Sequence, residues 1–339
     1  MDKRPYVLIV GLRQDVAELI ERRSLRSEET GYKLLGFLSL DDISDLNPAI
    51  GIPCLGMSKT LRDYIFRNPV DVVLLLSPLS PAEYEELLEP ILEIGLTSAV
   101  PAGMTVCLKS DLMEKTHIRH EVLFGMGVTA MTTVWQSRGY LLAKRALDCM
   151  LSAILLVIFS PLFLLIGLAV KLTDPRAPVL YSWHVLGKNG KPFVGYKFRT
   201  MVPNADELKR KMLEFNEMQG PVFKMRNDPR TTNLGRILRK LSLDELPQLY
   251  SVLKGDMSLV GPRPPSSKEA EGFEFWQRRK LSVTPGISCL WQINGRNEIH
   301  KFSEWVRLDL QYIQTASFLL DLKIILLTIP AVLSARGAS

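Results

Sequence analysis

From Cys149 to Val170 the chain reads CMLSAILLVIFSPLFLLIGLAV, 22 residues without a charged side chain. That length falls within the ~17–25 residues a helix needs to cross the hydrocarbon core of a bilayer. A core helix of a globular domain would carry a polar face, and this run has none. Insertion into a membrane is therefore expected. Crossing is a separate question. Lys144 and Arg145 precede the run, and Lys171 and Arg176 follow it, so both flanks bear the basic signature of a cytoplasmic loop. Ser160 and Pro161 fall at its middle, where proline removes a helix hydrogen bond and bends the axis. The pattern predicts a re-entrant helix over about 146–172 that enters and leaves by one face. A single kinked span is the alternative, since membrane helices tolerate proline.

The 339 residues suffice for two domains, and a net charge of +6 points to anionic partners. Charge alone leaves nucleic acid, phosphates and acidic lipid headgroups open. Cys54, Cys107, Cys149 and Cys289 are scattered without metal or redox spacing, as in a reducing compartment. The opening MDKRPYVLIVG enters a strand-like run directly, without the pattern of a secretory signal.

The chain before the apolar run reads as an α/β domain, residues 1–131. Tyr6–Val10 is an apolar run ending at Gly11, and the helical pattern QDVAELIERR follows. Tyr32–Leu38 and Asp71–Leu76 are further strand candidates, and residues 81–95 are amphipathic. Alternating strands and helices indicate a parallel sheet. The first strand-to-helix turn, Gly11-Leu12-Arg13-Gln14-Asp15, lacks the second and third glycines of a dinucleotide fingerprint. Asp42 sits where a ribose-binding acid could lie, yet without those glycines a Rossmann-like domain that binds no dinucleotide is expected. Residues 132–139 read as a linker.

Chemistry concentrates after residue 140. Pro178–Phe198 reads as a hairpin turning at Asn189-Gly190, which delivers Lys197 and Arg199 at a strand end. Glu207–Gln219 reads as a charged helix. Arg226, Arg230, Arg236 and Arg239 then precede the adjacent carboxylates Asp244 and Glu245. One carboxylate can attack a phosphate or take a proton while its neighbour holds a metal, and the cations keep an anionic substrate close. A structural alternative stands beside this: Ser242 and Glu245 fit a capping box, weakened by Pro247 inside the helix it would start. Asp256 adds a third acid, and Gly261-Pro262-Arg263-Pro264 presents an arginine between prolines.

These segments occur in a family order: KRALD at 144–148, SP at 160–161, KFRTM at 197–201, NDPR at 227–230 and LGRILRKLSLDELPQL at 234–249. GDMSLVGPRP at 255–264, WQINGR at 291–296 and the terminal ARGA continue it. Together they resemble the bacterial sugar transferase family, the monotopic polyprenyl-phosphate phosphosugar transferases, in its long form with a Rossmann-like domain ahead. Val185 departs from the arginine usual there.

The resemblance implies a re-entrant membrane helix and a mixed α/β, mainly helical, catalytic domain over 140–339. It implies transfer of sugar-1-phosphate from a UDP-sugar to undecaprenyl phosphate with release of UMP, early in exopolysaccharide, capsule or O-antigen synthesis. By matching positions, Asp244 attacks the sugar-bearing phosphate to form a phosphosugar-aspartyl intermediate, and Glu245 holds Mg²⁺, or Mn²⁺. Lys197, Arg199, Arg239 and Arg263 bind the substrate phosphates. Lys144 and Arg145 meet the lipid phosphate or anchor at the interface. The expected location is the cytoplasmic face of the bacterial inner membrane, with no nucleic acid partner and with a homodimer formed through the first domain. The sugar is open, glucose or galactose coming first. Two other readings are an inactive membrane-anchored nucleotide-sensing regulator and a nicotinamide-dependent sugar-modifying enzyme.

Overall fold

The computed structural model describes residues 3–23, 31–41, 51–104, 106, 110–225, 227–294 and 299–333. It divides into two compact units, Met1–Trp135 and Gln136–Ser339.

In the first unit the elements run β1 (Tyr6–Gly11), α1 (Arg13–Arg23), β2 (Lys33–Ser39), β3 (Cys54–Met57), α2 (Leu61–Arg67), β4 (Val72–Leu75) and α3 (Pro81–Glu93). β5 (Thr97–Pro101), α4 (Ser110–Met113), β6 (His117–Leu123) and β7 (Met126–Thr132) complete it. Among the described residues the strands form one sheet in the order β3-β2-β1-β4-β5-β7-β6. The first five are parallel in the doubly wound order, and β7 and β6 extend one edge as an antiparallel hairpin. Val7, Ile9 and Leu74 are wholly buried beside Val16 of α1, as expected of strands covered by helices.

In the turn after β1 the first amides are engaged within the chain. The N–H of Leu12 donates to Ser77 Oγ (2.7 Å), and that of Arg13 to Asp41 Oδ2 (3.1 Å). The amides that a phosphate would need at this helix start already have acceptors within the chain. Asp42, weighed above for a ribose, lies outside the described residues. The connection to the second unit is shorter than 132–139: β7 includes Thr132 and the next helix begins at Arg138.

The second unit opens with α5 (Arg138–Ile158) and α6 (Ser160–Thr173), bent by 58° at Phe159. Pro161 lies in the first turn of α6. Its missing N–H would have paired with the Val157 carbonyl, and the Ser160 hydroxyl donates to that carbonyl instead (2.8 Å). Ser160 and Pro161 thus define the break that the sequence placed there. No single helix among the described residues is long and apolar enough to cross a membrane, though this bent pair is by length and composition.

α5 turns polar residues toward the protein and α6 turns Ile166 and Val170, while both helices leave apolar side chains exposed. Lys144, Asp148 and Ser152 of α5 are buried, while Leu142, Val157, Leu164, Leu165 and Leu172 are each more than 60 % exposed. Leaving such a side chain in water forgoes about 1.5–3 kcal/mol each, so several of them on one helix pair call for an apolar cover.

The hairpin follows as β8 (Leu180–Leu186) and β9 (Pro192–Phe198), turning through Asn189 and Gly190, both with positive φ. The charged helix expected over Glu207–Gln219 is only α7 (Ala205–Lys211) and a separate 3₁₀ turn at Leu213–Phe215. The chain then pairs Glu217 with Lys224 and Gln219 with His300, which ends helical structure early. Next come α8 (Asn233–Lys240), α9 (Gln248–Lys254), β10 (Ser258–Val260), α10 (Ser267–Glu271), β11 (Gly286–Ser288), α11 (Leu290–Ile293), α12 (Phe302–Thr315) and α13 (Phe318–Leu333). Among the described residues the unit is mainly helical with two small sheets.

Candidate active site

Asp244 and Glu245 lie on a single 3₁₀ turn, Leu243–Glu245. Ser242 before it is left-handed (φ 52°) and makes no side-chain capping hydrogen bond to the turn, so the capping-box reading fails. Pro247 separates the turn from α9, which cannot extend back through it. Leu243 packs with Phe198 of β9, Leu238 of α8 and Ile166 and Val170 of α6. One apolar cluster therefore fixes the carboxylate turn, the strand end and the second half of the bent helix pair together.

Three further elements converge on that turn. β9 supplies Lys197. α8 supplies Arg239, whose Nε donates to Thr200 Oγ1 (3.0 Å). Gly235 of α8 lets this helix lie against the strand end, since a Cβ there would sit 2.1 Å from the Thr200 carbonyl oxygen. The third is the loop after β10. Gly261 and Gly286 meet backbone to backbone where β10 pairs with β11, and a Cβ on Gly286 would lie 2.0 Å from the Gly261 nitrogen. The close approach aims Arg263, whose guanidinium rests 5.6 Å over the Trp305 ring. The hairpin is joined to this loop by Leu186 N–H donating to the Pro265 carbonyl (2.9 Å) and by a bridge from Val185 to Ser266. Val185, where the family usually has arginine, is 1 % exposed and belongs to that packing.

The electrostatics are those of a site poised for an anion. Lys197 lies within the fields of Arg239, Asp244, Glu245 and Arg263, and its ammonium sits 5.5 Å and 5.0 Å over the rings of Tyr181 and Trp183. Burial, then Arg239, holds its pKa below the ordinary lysine range against the pull of the two carboxylates. Asp244 is 7 % exposed. Burial, then the Glu245 charge, pushes its carboxyl up to about 6, while Lys197 and Arg239 act to lower it. A cavity of about 710 Å³ opens here, lined by Lys197, Glu245, Gln248, Arg263, Tyr181 and Trp183.

Arg199 lies elsewhere: it lines a smaller adjoining cavity, and its Nε donates to the Met201 carbonyl (3.3 Å). Arg230 is also there, held by Asp228 (Nη2–Oδ2 2.6 Å). Arg226 and the Gly295-Arg296 end of WQINGR lie outside the described residues. Lys144 and Arg145, expected at the lipid interface, both have partners within the protein. Lys144 pairs with the buried Asp321 of α13 (2.7 Å), which also accepts from Tyr140 and Tyr312. Arg145 donates to the Val252 and Leu253 carbonyls at the end of α9. The sequence reading passed over Tyr181 and Trp183, although their i, i+2 spacing on a strand was a signal that both face one side.

The acids suit Mg²⁺ in one manner only. Among the described residues no three His, Cys, Asp or Glu side chains gather as a ligand set, and Asp256, weighed above as a third acid, pairs with Lys254 (2.9 Å). Mg²⁺ needs no protein cage: one or two carboxylates suffice when substrate phosphates and water complete the octahedron. Glu245 on the cavity wall beside Asp244 meets that requirement.

The bacterial sugar transferase model matches residues 139–335, and the chain belongs to that family. A galactosyl transferase, CpsE, of Streptococcus agalactiae is 44 % identical over 220 residues, covering 65 % of this chain and 49 % of that protein. The undecaprenyl-phosphate galactose phosphotransferase of Salmonella typhimurium is 41 % identical over 199 residues, 58 % of this chain and 41 % of its own length. The UDP-glucose:undecaprenyl-phosphate glucose-1-phosphate transferase of Xanthomonas campestris is 30 % identical over 346 residues, covering 98 % of this chain and 67 % of that protein. Similarity to this long-form relative includes the first unit. The chain spans about half the length of the streptococcal relative.

Proposed function

We propose that this protein transfers sugar-1-phosphate from a UDP-sugar to undecaprenyl phosphate and releases UMP. The observation that carries the reading is the buried Asp244–Glu245 turn facing Lys197, Arg239 and Arg263 beside a cavity of about 710 Å³. The names of the relatives supply the substrate classes. Asp244, as carboxylate, attacks the sugar-bearing phosphorus; the bond to the UMP phosphate breaks, and the sugar phosphate stays on Asp244. Lys197, Arg239 and Arg263 hold the phosphoryl oxygens, where fixed cations are worth most as charge develops. Bound at Glu245, Mg²⁺ or Mn²⁺ would offset diphosphate charge. The acceptor phosphate then displaces Asp244 and regenerates the carboxylate.

The bent pair α5–α6 is the membrane element in this reading, re-entrant from the cytoplasmic face of the bacterial inner membrane. The exposed leucines along it, with Leu319 and Leu326 of α13, supply the apolar surface. A polyprenyl tail stays in lipid and a UDP-sugar stays in water, so the site belongs at their boundary. Self-association through the first unit, giving a homodimer, is the companion proposal, checked by sedimentation of the detergent-solubilised chain. The sugar separates by experiment: a panel of UDP-sugars with undecaprenyl phosphate, scored by UMP release, should show one preferred hexose. UMP release from none of them would remove the reading.

A further inference from the structure

Two cavities meet at Lys197. The larger, described above, is lined by Glu245 and Arg263. The smaller, about 200 Å³, shares Tyr181, Lys197, Asp206 and Lys209 with it and is otherwise lined by Arg199, Ala205, Phe223 and Arg230 among others. Once Arg230 is assigned to Asp228, three cations (Lys197, Arg199 and Lys209) face one acid, Asp206, across this small space. Aromatic rings hold two of these cations, Lys209 on Phe223 at 5.6 Å and Lys197 on Tyr181 at 5.5 Å, while Arg199 is steadied by its Nε donating to the Met201 carbonyl (3.3 Å). A cation resting on a ring keeps its N–H donors for another acceptor.

Size and surroundings narrow what that acceptor is. The chamber admits a phosphate group, while a nucleoside diphosphate sugar needs the larger neighbour. Met201, Val202 and Pro203 give it an apolar side. Between Lys197 and Arg199 in sequence stands Phe198, which packs on Phe163, Ile166 and Val170 of α6, the helix assigned to lipid above.

The geometry points to the small cavity as the seat of the acceptor's phosphate monoester, separate from the room that takes the nucleotide. This rests on the function proposed above. After UMP leaves, the lipid phosphate enters with Arg199 and Lys209 as its donors and presents an oxygen past Lys197 to the phosphorus on Asp244. The new P–O bond forms as the Asp244 Oδ–P bond breaks. The aspartate departs as a carboxylate, the acceptor having arrived as the dianion, so no proton or electron is left over.

The two half-reactions test this in the full chain, reconstituted in nanodiscs with a short-chain polyprenyl phosphate. Ala205→Leu fills the small cavity, and Arg199→Gln removes a donor without filling it. Each variant should form the phosphosugar adduct from UDP-sugar, and return it to UMP, within about twofold of the unaltered protein. Transfer to the lipid phosphate should fall about tenfold or more, as a raised KM for lipid in Arg199→Gln. If Ala205→Leu does not fold by its melting curve, Arg199→Gln decides. Parallel loss of adduct formation, UMP return and lipid transfer would place the nucleotide phosphates in the small cavity and overturn the assignment. Unchanged transfer would overturn it too. An unaltered protein that forms no adduct at all removes the proposed function, and this assignment with it.

Discussion

Lys144 and Lys197 are both largely buried lysines lying near two aromatic rings, and their surroundings make opposite use of the charge. Lys144 lies about as far from Tyr140 (5.9 Å) and Tyr312 (6.0 Å) as Lys197 from Tyr181 (5.5 Å) and Trp183 (5.0 Å). Lys144 also has Asp321 at 2.7 Å and the Tyr312 hydroxyl at 3.3 Å, so its charge is satisfied within the fold. Lys197 has the fields of Asp244 and Glu245, yet its ammonium rests on rings and faces a cavity. The first arrangement fastens α5 to α12 and α13. In the function proposed above, the second holds a cation whose partner arrives from outside. A motif lysine in a basic cluster can be either, and what distinguishes them is whether the fold supplies the anion.

Substitutions at the two places should diverge, most of all at the acid beside Lys197. Asp244→Asn should reduce UMP release by about 10³-fold or more, because the nucleophile is lost. Glu245→Gln should weaken turnover less and change its Mg²⁺ dependence. On the other side, Lys144→Met should destabilise by roughly 3–5 kcal/mol, since Asp321 would be left as an unpaired buried charge. Lys144→Met with Asp321→Leu should recover most of that loss in a denaturant melt. Equal melting of single and double variants would remove the contrast. Lys197→Met should reverse the pattern: UMP release down on the order of 10²-fold, with no loss of thermal stability.

The acid also sharpens the contrast through pH. Asp244 titrates near 6 against an ordinary 3.8, raised first by burial and then by Glu245. The folded protein therefore holds this proton more tightly than the unfolded chain, so the stability it contributes is lost as pH rises from about 4 through about 6. Asp244→Asn should accordingly raise stability at pH 7–8 by roughly 1–3 kcal/mol, and the gain should vanish near pH 4. Adduct formation in the unaltered protein should decline below about pH 6, where the nucleophile is protonated. A melting difference that does not vary with pH would contradict the burial argument.

The first unit gives the smallest expected effect and a third variant of the same theme. At the start of α1, Ser77 and Asp41 already satisfy the Leu12 and Arg13 amides. Ser77→Ala should cost about 1 kcal/mol of stability and leave UMP release unchanged. Nicotinamide dinucleotides should not raise the melting temperature of the full chain, as any ligand binding only the folded state would do.

What the sequence disclosed follows the range over which each signal acts. Strand-helix alternation, the Asn189-Gly190 turn and the Ser160-Pro161 break are local, and each stands where it was read. The missing glycines after β1 also spoke locally, but Ser77, 65 residues away, was invisible as the group closing that turn. Asp244 and Glu245 were legible as an acid pair among basic residues. That they occupy a 3₁₀ turn and not a helix start depends on Ser242 adopting a left-handed conformation, which no residue type announces. Protein partners were hidden from the sequence where they lay across the chain. Lys144 and Arg145 read as interfacial because Asp321 and the end of α9 are distant in sequence. Tyr181 and Trp183 went unassigned because their role appears only once β9 brings Lys197 across to them.

The central claim, that Asp244 is a nucleophile whose cations await an outside anion, has a direct test. The unaltered protein is mixed with the preferred UDP-sugar and Mg²⁺ in the absence of lipid phosphate, quenched, and digested for mass spectrometry. The account predicts a sugar-phosphate mass increment on the peptide holding Asp244, one UMP released per increment, and its loss on adding undecaprenyl phosphate. No adduct under rapid quench, with UMP appearing only when both substrates are present, would contradict it.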